Sequence, residues 1–581
     1  MNTSLLKKCG LISAMALTGG MTAYAADCSE LNTALRQEAE CGDFVGLEVA
    51  NDAYSGGKAI NVDGQNGYID FVFEVPSAGL YKLIIADAAA FGQKHYAVSL
   101  NGGPASDITG LEAYGENDAG SFRFKEGTNT VRIMPGWTWF AIDYVRIEAD
   151  QDAVKQVVPS ASLSDPNATD AAKTLYNFLL ANWGKKTISG FMTGDMSTAS
   201  KGVKGHEDVA AVYNASGKYP ALVGFDMLNA TGSQVDKGNS WYLDYTNSAI
   251  KLSKELWSLG GIPAFTWHWY DPSRSKDAFY TYNPNSTEEK YLKGTEFKFT
   301  SAMDASGDWD KSSTVYKNII KDIDQVADHF LDLQKEGIAA IWRPLHEASG
   351  AWFWWGVEGG ANYGKLYRLI YDEMVNVKGV HNLVWVWNPC KVGDVDWNPG
   401  EAYYDVISID IYNPSNDHQS NYVSFNTLKN TSNYGKLIAL SENGPIPDIK
   451  ECAENEAVWS WWMPWYQSWS GNFASQTSNA VWKSNMDDER VITLEDMPGW
   501  ENSGVESVAN DAAIVYPTKV ANYFMVDADN ATIVVTNALG QNVVSKKVNG
   551  STMVPTSNWS KGVYVVKVVS NKGEKTYKLI K

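Results

Sequence analysis

Trp342-Arg343-Pro344-Leu345-His346-Glu347-Ala348-Ser349-Gly350-Ala351-Trp352-Phe353-Trp354-Trp355-Gly356 is the most informative stretch of this 581-residue chain. An apolar run, Ile338 to Ile341, leads into it, as expected of a buried parallel strand. An arginine, a histidine and a glutamate follow at the end of that strand. Polar residues at the C-terminal end of an apolar strand are typical of a catalytic strand in a (β/α)8 barrel.

Four aromatic residues, 352 to 355, follow the glutamate in a loop bounded by glycines. Pyranose rings have flat C–H faces that stack on indole, and their hydroxyls need charged or amide partners, so the combination favours a sugar site. The alternative is a core strand followed by a tryptophan-rich packing loop. Four aromatic side chains in one loop are hard to bury together, and a histidine and a glutamate at a strand end have no packing purpose.

Outside this stretch, apolar segments alternate with helical stretches over residues 171–501, which predicts a (β/α)8 barrel with loop insertions. A helix is expected between the third and fourth strands, over Val315–Leu333, with apolar residues on one face. The predicted strands are Ile188–Met192, Ala221–Met227, Ile262–Trp267, Ile338–Pro344, Leu383–Trp387, Val406–Ile411, Leu437–Ser441 and Val458–Trp462.

Strand patterns and turn signals also occur on both sides of the barrel, so the predicted fold class is multidomain. An N-terminal β-sandwich precedes the central (β/α)8 TIM barrel, and a small C-terminal β-sandwich follows it. The predicted boundaries are a signal peptide at 1–25, the first sandwich at 26–149, a linker at 150–170, the barrel at 171–501, a linker at 502–512 and the last domain at 513–581.

The overall charge limits the classes of partner that the chain is expected to bind. The formal net charge is −20 and the pI is about 4.9. This charge argues against nucleic acid and anionic membrane surfaces, and it fits a soluble secreted enzyme that acts on a neutral polymer.

The N-terminus reads as a secretory signal. Lys7 and Lys8 precede an apolar region, Leu11 to Met21, and Ala23-Tyr24-Ala25 forms a cleavage pattern that fits better than a lipoprotein cut before Cys28. No later apolar run is long enough to span a bilayer, so we expect a secreted or cell-surface protein that passes through the periplasm.

The chain has five cysteines, of which Cys9 leaves with the signal. Cys28 and Cys41 are close in sequence and could pair. Cys390 and Cys452 could pair only if the fold brings them together.

The N-terminal sandwich resembles a carbohydrate-binding module of family 35. The resemblance implies a structural calcium ion held by Glu38, Glu40 and Asp143, since carboxylate oxygens suit Ca²⁺. Solvated acids at strand edges are the alternative, and Trp137 and Trp139 could stack on sugar or pack. The matching residues are Glu38-Ala39-Glu40, Tyr54-Ser55-Gly56-Gly57, Val75-Pro76-Ser77-Ala78-Gly79-Leu80-Tyr81, Glu126-Gly127-Thr128-Asn129 and Ala141-Ile142-Asp143-Tyr144-Val145.

The C-terminal residues resemble the sorting domain of the type IX secretion system of Bacteroidetes. That resemblance implies contact with secretion machinery; a small accessory β-sandwich is the alternative. The matching residues are Val515-Tyr516-Pro517, Ile533-Val534-Val535, Leu539-Gly540, Lys561-Gly562-Val563-Tyr564-Val565-Val566 and the final Lys578-Leu579-Ile580-Lys581.

Two glutamates in the barrel are placed as a catalytic pair. A retaining glycosidase needs two carboxyl groups about 5–5.5 Å apart, and in a barrel both must stand at C-terminal strand ends. Glu347 ends the fourth strand, and Glu442 ends the seventh in the sequence Ile438 to Gly444. A salt bridge at the barrel rim is the alternative for Glu442.

The opening motif resembles glycoside hydrolase family 26, whose dominant activity is endo-β-1,4-mannanase. The resemblance covers the whole middle domain. This chain has Ala348-Ser349 where the family usually has Met-Asn, which spares the catalytic residues and removes an amide near the loop. The further matches are Phe265-Thr266-Trp267-His268-Trp269, Leu383-Val384-Trp385-Val386-Trp387-Asn388-Pro389 and Ser408-Ile409-Asp410-Ile411-Tyr412.

The family resemblance implies roles for individual residues. Glu347 is expected to be the acid/base and Glu442 the nucleophile, with Tyr412 donating its hydroxyl hydrogen to that nucleophile. His346 is expected to hydrogen-bond near the nucleophile. The alternative is an ordinary core histidine whose hydrogen bonds are satisfied within the core. Arg343 is expected to pair with a carboxylate of the site, with an ordinary buried ion pair as its alternative.

The remaining candidate residues are expected to contact or support the sugar. His268 and Trp352 are similar to residues that touch sugar near the cleavage point, and Asp410 is expected to support the site from behind. Three more tryptophans could be stacking platforms or packing residues: Trp269, Trp387 and Trp462.

The sequence predicts chemistry without a cofactor, since its histidines form no His-x-x-x-His or similar metal-ligand spacing. The expected partner is plant β-mannan: mannan, glucomannan or galactomannan. The alternatives are the same fold acting on β-1,3-xylan or mixed-linkage β-glucan, and a non-catalytic carbohydrate-binding protein on a decayed barrel. Endo and exo action both stay open.

Overall fold

The middle of the chain is an eight-stranded parallel sheet whose strands follow one another in sequence order. The first strand lies beside the eighth: the Ile188 amide donates to the Ser460 carbonyl at 3.0 Å, which brings the two edges of the barrel together. The predicted (β/α)8 barrel is therefore confirmed. Its strands are Gly190–Met192, Leu222–Asp226, Ile262–Thr266, Ala340–Arg343, Leu383–Trp387, Val406–Ile411, Leu437–Asn443 and Trp462–Pro464.

The structure is a computed structural model. It describes residues 32–51, 54–62, 67–89, 94–103, 105–137, 139–150, 157–390, 394–466, 473–500, 514–516, 523–537, 540–570 and 573–581. The predicted signal peptide and the linker at 502–512 lie outside these residues. The chain divides into two compact units, Met1–Gln156 and Val157–Lys581.

The eighth strand differs from its prediction. It was expected over Val458–Trp462 and instead covers Trp462–Pro464, so only Trp462 is shared. The apolar run that suggested a strand is a packing segment: Trp459 is fully buried, and its indole N–H donates to the Ser420 carbonyl at 2.9 Å. Buried side chains without period-2 alternation do not distinguish a strand from the coil that leads into it.

The helix between the third and fourth strands confirms its predicted pattern and covers Thr314–Lys335. The Ser313 hydroxyl caps its start by accepting from the Tyr316 amide at 3.0 Å. Gly337, at φ +70°, turns the chain away after its end. The buried face carries Ile319, Ile323, Val326, Phe330 and Leu333.

Further helices of the barrel unit pack around the sheet. Inside the barrel, Gly224 is required because a Cβ there would lie 2.5 Å from the sulfur of Met192 and 2.6 Å from that of Met463. The α-helices are Asp170–Asn182, Glu207–Ser216, Ser233–Asp236, Ser240–Ser258, Glu289–Leu292, Gly360–Tyr371, Tyr422–Thr431, Ile449–Glu454, Phe473–Gln476 and Asn479–Met486.

Residues 157–169, part of the predicted linker, are hydrogen-bonded to the barrel. The amides of Val158 and Ser160 donate to the carbonyls of Tyr434 and Gly435, and the Thr169 amide donates to that of His381. This segment therefore runs over the surface of the barrel unit and is tied to it by these hydrogen bonds, although residues such as Val158 remain exposed.

The N-terminal unit is a pair of antiparallel sheets, as predicted. Strands alternate buried and open positions, for example Ile69, Phe71, Phe73 and Val75 on one face. One sheet contains Arg36–Glu38, Glu48–Asn51, Lys58–Val62, Gly79–Ala88, Gly115–Phe124 and Phe140–Ala149, and the other contains Asp43–Val45, Tyr68–Val75, His95–Leu100, Ala105–Thr109 and Gly127–Trp137.

The C-terminal residues form a five-stranded antiparallel sheet. Alternate residues of Val563–Ser570 are buried, with Tyr564, Val566 and Val568 facing the core. The strands are Ile514–Tyr516, Tyr523–Asn537, Asn542–Pro555, Val563–Ser570 and Gly573–Ile580.

The structure settles part of the predicted cysteine pairing. Cys41 is in a disulfide, and its predicted partner Cys28 lies outside the described residues. Cys390 and Cys452 do not form a disulfide with each other. Among the residues that the structure describes, none belongs to a helix long and apolar enough to cross a bilayer.

Candidate active site

Both predicted catalytic glutamates stand at the C-terminal end of the barrel. Glu442 lies within the seventh strand, and Glu347 follows the fourth strand with φ +54°, a left-handed backbone that turns the chain into the aromatic loop. Carboxylate oxygens of Glu347, Glu442 and Asp410 all lie within 4.8 Å of one another. This separation suits a retaining pair, whereas an inverting pair needs about 6.5–9.5 Å for a water molecule.

Glu347 sits in surroundings that favour its protonated form. Burial and the neighbouring charge of Glu442 raise the pKa of Glu347 to about 7. The Trp352 indole N–H donates to Glu347 Oε2 at 2.9 Å, which opposes that rise. The Glu347 amide donates to Asn388 Oδ1 at 3.2 Å and so fixes the backbone. A carboxyl group that holds its proton near neutral pH can act as a general acid.

Glu442 is held as a hydrogen-bond acceptor. Tyr412 donates its hydroxyl hydrogen to Glu442 Oε2 at 2.8 Å, and the Arg343 guanidinium donates to Glu442 Oε1. Tyr412 as a residue is 41% exposed. Two donors on one carboxylate fix its orientation.

Arg343 links two of the three carboxylates. It is 3% exposed, and it donates through Nη1 to Asp410 Oδ2 at 3.0 Å as well as through Nη2 to Glu442. Asn388 donates to the other Asp410 oxygen at 3.0 Å and accepts from Arg343 at 3.2 Å. Burial raises the pKa of Asp410 and Arg343 lowers it, with the net shift upward. The site therefore contains its own cation.

Two histidines form a chain beside the carboxylates. Asp226 Oδ2 accepts from His268 Nδ1 at 2.6 Å, the His268 and His346 Nε2 atoms are 3.3 Å apart, and His346 Nδ1 lies 3.1 Å from the Thr266 hydroxyl. Burial opposes charge on His268, but Asp226 raises its pKa above the usual value. Burial, Arg343 and His268 lower the pKa of His346. His346 thus contacts His268, whereas the sequence predicted a contact near the nucleophile.

The aromatic loop divides its side chains between two roles. Phe353, Trp354 and Trp355 are buried, although the sequence suggested that such a set is hard to bury. Trp352 is only partly buried and contacts Glu347. Gly350 makes room for it, since a Cβ there would lie 2.2 Å from the indole.

Of the two alternatives open for three further tryptophans of the barrel, packing is the one observed. Trp269, Trp387 and Trp462 are fully buried. Trp269 stacks on Trp267 with ring centroids 4.1 Å apart, and its N–H donates to Asp322 at 2.8 Å. These rings pack the barrel and have no face open to a polymer.

Sequence reasoning missed three residues of this site: Asp226, Thr266 and Asn388. Asp226 and Asn388 each stand at or just beyond the end of a barrel strand, which is the position that the barrel rule marks as functional. That rule, applied to every strand end, would have found them. Their partners lie on other strands, so no local motif marks the pairs.

The predicted calcium ligands of the N-terminal unit lie near enough to influence one another electrostatically, but their oxygens do not approach as closely as those of the barrel trio. Glu38 and Asp143 are fully buried, and the Ser55 hydroxyl and amide bond one oxygen of each. The other oxygens, Glu38 Oε2, Asp143 Oδ1 and Glu40 Oε2, are buried without a hydrogen-bond partner among the described residues. Burial raises the pKa of all three acids, that of Glu38 to about 7. Unsatisfied carboxylate oxygens fit a hard cation.

The two tryptophans of that unit are less informative. Trp139 is 54% exposed and has φ +83°. The side chain of Trp137 lies outside what the structure describes.

Sequence profiles of three families match the chain. The profile of glycosyl hydrolase family 26 matches residues 164–493, that of carbohydrate binding module family 35 matches 35–150, and that of a secretion system C-terminal sorting domain matches 514–581. The sorting domain marks the chain for secretion or the cell surface.

Characterised relatives match over most of the chain. A mannan endo-1,4-beta-mannosidase of Thermothelomyces thermophilus is 30% identical, over 85% of this chain and 98% of the relative. Mannan endo-1,4-beta-mannosidase B of a Piromyces species is 32% identical, over 81% and 78%. The Podospora anserina GH26-CBM35 beta-(1,4)-mannanase structure is 28% identical with a TM-score of 0.52, over 80% of this chain and 99% of that one.

A solved structure with bound sugar is also similar. It is a beta-mannanase from a symbiotic protist of the termite Reticulitermes speratus, complexed with gluco-manno-oligosaccharide. It is 35% identical with a TM-score of 0.53, and the match covers 60% of this chain and all of that one.

Proposed function

The chain belongs to glycosyl hydrolase family 26, and on that premise we propose that it is a secreted endo-β-1,4-mannanase that cleaves with retention. The observation that carries the proposal is the Glu347–Glu442 pair, whose oxygens lie within 4.8 Å at the C-terminal end of the barrel. The names of the relatives give the substrate class, β-1,4-mannan, and the bound gluco-manno-oligosaccharide of one relative extends it to glucomannan.

The first step forms a covalent sugar–enzyme bond. A Glu442 oxygen attacks the anomeric carbon, and the bond to the leaving oxygen breaks as Glu347 gives that oxygen its proton. Arg343 and Tyr412 both donate to Glu442 and hold its carboxylate aimed at the carbon. Burial keeps Glu347 protonated near neutral pH, so the acid is ready when the substrate arrives.

The second step releases the sugar. Glu347, now ionised, takes a proton from water, and the water oxygen attacks the anomeric carbon to displace Glu442. Two inversions at one carbon give retention. Trp352, whose N–H contacts Glu347, and His268, beside His346, are placed to contact the sugar at the cleavage point.

The N-terminal module is proposed to bind the same polymer and to hold calcium. Glu38, Glu40 and Asp143 would ligate the ion through the oxygens that have no other partner among the described residues. The ion would serve structure, because these acids belong to a separate compact unit from the barrel.

The C-terminal domain supplies an address rather than chemistry. Residues 513–581 are proposed to be read during passage across the outer membrane, after the signal peptide at 1–25 has directed the chain to the periplasm. A polymer too large to enter the cell is met only outside it.

A reducing-sugar assay on mannan, glucomannan, xylan and lichenan tests the proposal. Rapid cleavage of the first two with a β-anomeric initial product in NMR is expected. Preference for xylan or lichenan would overturn the mannanase assignment, and an α-anomeric initial product would overturn retention.

A further inference from the structure

Asp322 is a fully buried acid that lies outside the catalytic cluster. It is on the helix Thr314–Lys335, between the third and fourth strands. The Arg274 guanidinium donates to both of its oxygens, through Nη1 to Oδ2 at 2.9 Å and through Nη2 to Oδ1. A buried ion pair often stabilises a fold no better than apolar side chains of the same volume. The acid at this position therefore calls for a contact that an apolar side chain could not make.

That contact is with Trp269, directly after the third strand. The Trp269 indole N–H donates to Asp322 Oδ2 at 2.8 Å. Trp269 is itself fully buried and stacks on Trp267, with ring centroids 4.1 Å apart. A buried indole N–H needs an acceptor, and an apolar residue at position 322 would not supply one. Asp322 therefore fixes the indole of Trp269 from the side of the helix.

Trp269 in turn holds the aromatic loop that follows the fourth strand. Its carbonyl accepts from the Trp354 indole N–H at 2.6 Å, and the two rings meet edge to face with centroids 5.0 Å apart. Two residues earlier in that loop, the Trp352 indole N–H donates to Glu347 Oε2 at 2.9 Å. A continuous series of contacts therefore runs from the buried acid on the helix to the carboxyl group of Glu347.

The cation that pairs with Asp322 also joins two loops at the C-terminal end of the barrel. Arg274 lies in the loop after the third strand, and its Nε donates at 2.9 Å to Asp236, which precedes the helix Ser240–Ser258. Lys321 donates to the other oxygen of Asp236 at 2.6 Å. Asp236 would thus keep a cation if Arg274 were replaced, whereas Asp322 would lose the cation that contacts both of its oxygens.

We propose that Asp322 is a positioning residue that holds the Trp352 indole N–H on Glu347 through the two intervening tryptophans. The proposal rests on the proposed mannanase activity, in which Glu347 is the acid and base. Asp322 has no exposed surface and does not touch the sugar, so its effect is on the geometry of the reacting group. Small displacements of such a group lower turnover strongly and leave the remaining contacts with the substrate in place.

The test compares wild type, Asp322→Leu and Asp322→Asn on whichever of mannan, glucomannan, xylan and lichenan the wild type cleaves fastest. Asp322→Leu removes the acceptor of the Trp269 N–H and should lower kcat about tenfold with little change in KM. The basic limb of its pH profile should move to higher pH, because Glu347 loses the N–H that lowers its pKa. Asp322→Asn keeps an acceptor for Trp269, so it should retain most of kcat and the wild-type basic limb.

The shift of the basic limb distinguishes positioning from general damage to the site. The other groups that act on the pKa of Glu347 are Glu442, Arg343 and His268. All three remain in both variants. Asp322→Leu should therefore move the basic limb in the same direction as the loss of the Trp352 N–H itself. A basic limb at its wild-type pH in folded Asp322→Leu would overturn the proposal.

A double variant separates positioning from stability. Asp322→Leu leaves the Arg274 guanidinium without its buried partner, so the melting temperature should fall. Addition of Arg274→Met removes that charge and should recover most of the melting temperature, since apolar replacement of a buried ion pair costs little. The lower kcat and the shifted basic limb should persist. Recovery of both in the double variant would show that Asp322 serves stability alone and would overturn the proposal.

Asp405→Asn is the control at the other end of the barrel. Asp405 is also buried and accepts from the Trp385 amide at 2.8 Å, but it directly precedes the sixth strand. Its replacement should lower the melting temperature and leave kcat and the basic limb unchanged. A shift of the basic limb equal to that of Asp322→Leu would contradict positioning. A wild type that cleaves none of the four polymers would instead overturn the proposed activity, and the positioning role with it.

Discussion

The barrel and the N-terminal module each contain a group of three buried or half-buried acidic residues, and the two groups have different hydrogen-bond and ion-pair partners. In the barrel, Arg343 donates to two of the three carboxylates, Glu442 and Asp410. In the module, Arg36 pairs with one oxygen of Glu38 at 2.8 Å, while one oxygen of every acid stays without a partner among the described residues.

Close spacing of acids therefore does not by itself identify a metal site. Among the described residues, the trio whose oxygens approach within 4.8 Å is that of the barrel, and the module acids are spread more widely. The barrel trio has an internal cation and is proposed to serve catalysis, whereas the wider trio has unsatisfied oxygens that suit an ion from solution. The following predictions test this contrast, from the largest expected effect to the smallest.

Glu442→Ala should lower turnover on mannan by several orders of magnitude and leave the fold intact, because the covalent step loses its nucleophile. Added azide should restore part of the rate and give a product of inverted configuration, which NMR can identify. A variant with near-normal turnover would show that the barrel trio does not supply the nucleophile.

Arg343→Met should remove the internal cation of the barrel trio and retain most of the side-chain volume. Asp410 and Glu442 would then be buried without their partner, at a cost of about 3–5 kcal/mol. Calorimetry should report a lower melting temperature for the barrel, and activity should fall with it. An unchanged melting temperature would mean that the two acids are neutralised in another way.

Removal of calcium should lower the melting temperature of the N-terminal module in the full-length protein and leave that of the barrel unchanged. A ligand present at a hundred times its Kd adds about 2.7 kcal/mol to the free energy of unfolding. The effect of Glu38→Gln on the stability of the module should change sign with the conditions. The substitution should destabilise the module in calcium and stabilise it in chelator, where it relieves repulsion between the acids. A melting curve that does not respond to chelator would remove the calcium assignment.

The pH dependence of the metal-free module has a definite sign. Burial raises the pKa of Glu38 to about 7 in the folded state, above its unfolded value. The folded module then binds the extra proton, so its stability is greatest below the unfolded pKa and is lost as pH rises through about 7. Thermal melts at pH 5 and pH 8 in chelator should show this loss, and saturating calcium should abolish it.

Trp352→Phe should produce the smallest effect, which is a shift of the basic limb of the profile of activity against pH. The indole N–H lowers the pKa of Glu347, so its removal should move that pKa above its value of about 7. Activity should therefore extend to higher pH, by about one pH unit or less, while the maximal rate falls through loss of a sugar contact. A basic limb that moves down would contradict this role.

Sequence patterns predicted the parts of the site that depend on local order. An apolar run followed by Glu347, and another that ends in Glu442, mark strand ends whatever the rest of the chain does. The parts of the fold that depend on contacts between residues distant in sequence were predicted less well. The eighth strand was placed too early because buried coil and buried strand are equally apolar, as Trp459 illustrates.

The order of residues along the chain was enough to predict the barrel, the flanking β-rich regions and the position of the two glutamates that are proposed to be catalytic. The periodicity of apolar residues and the presence of polar residues at strand ends are local properties of the sequence. They can be recognised without knowledge of the tertiary contacts. Only the tertiary structure decided that Trp269 is packed and Trp241 is exposed, that Asp226 contacts His268, and that Arg343 joins Asp410 to Glu442. The burial of a side chain and the pKa of an acid depend on atoms contributed by distant segments, and folding alone brings those segments together.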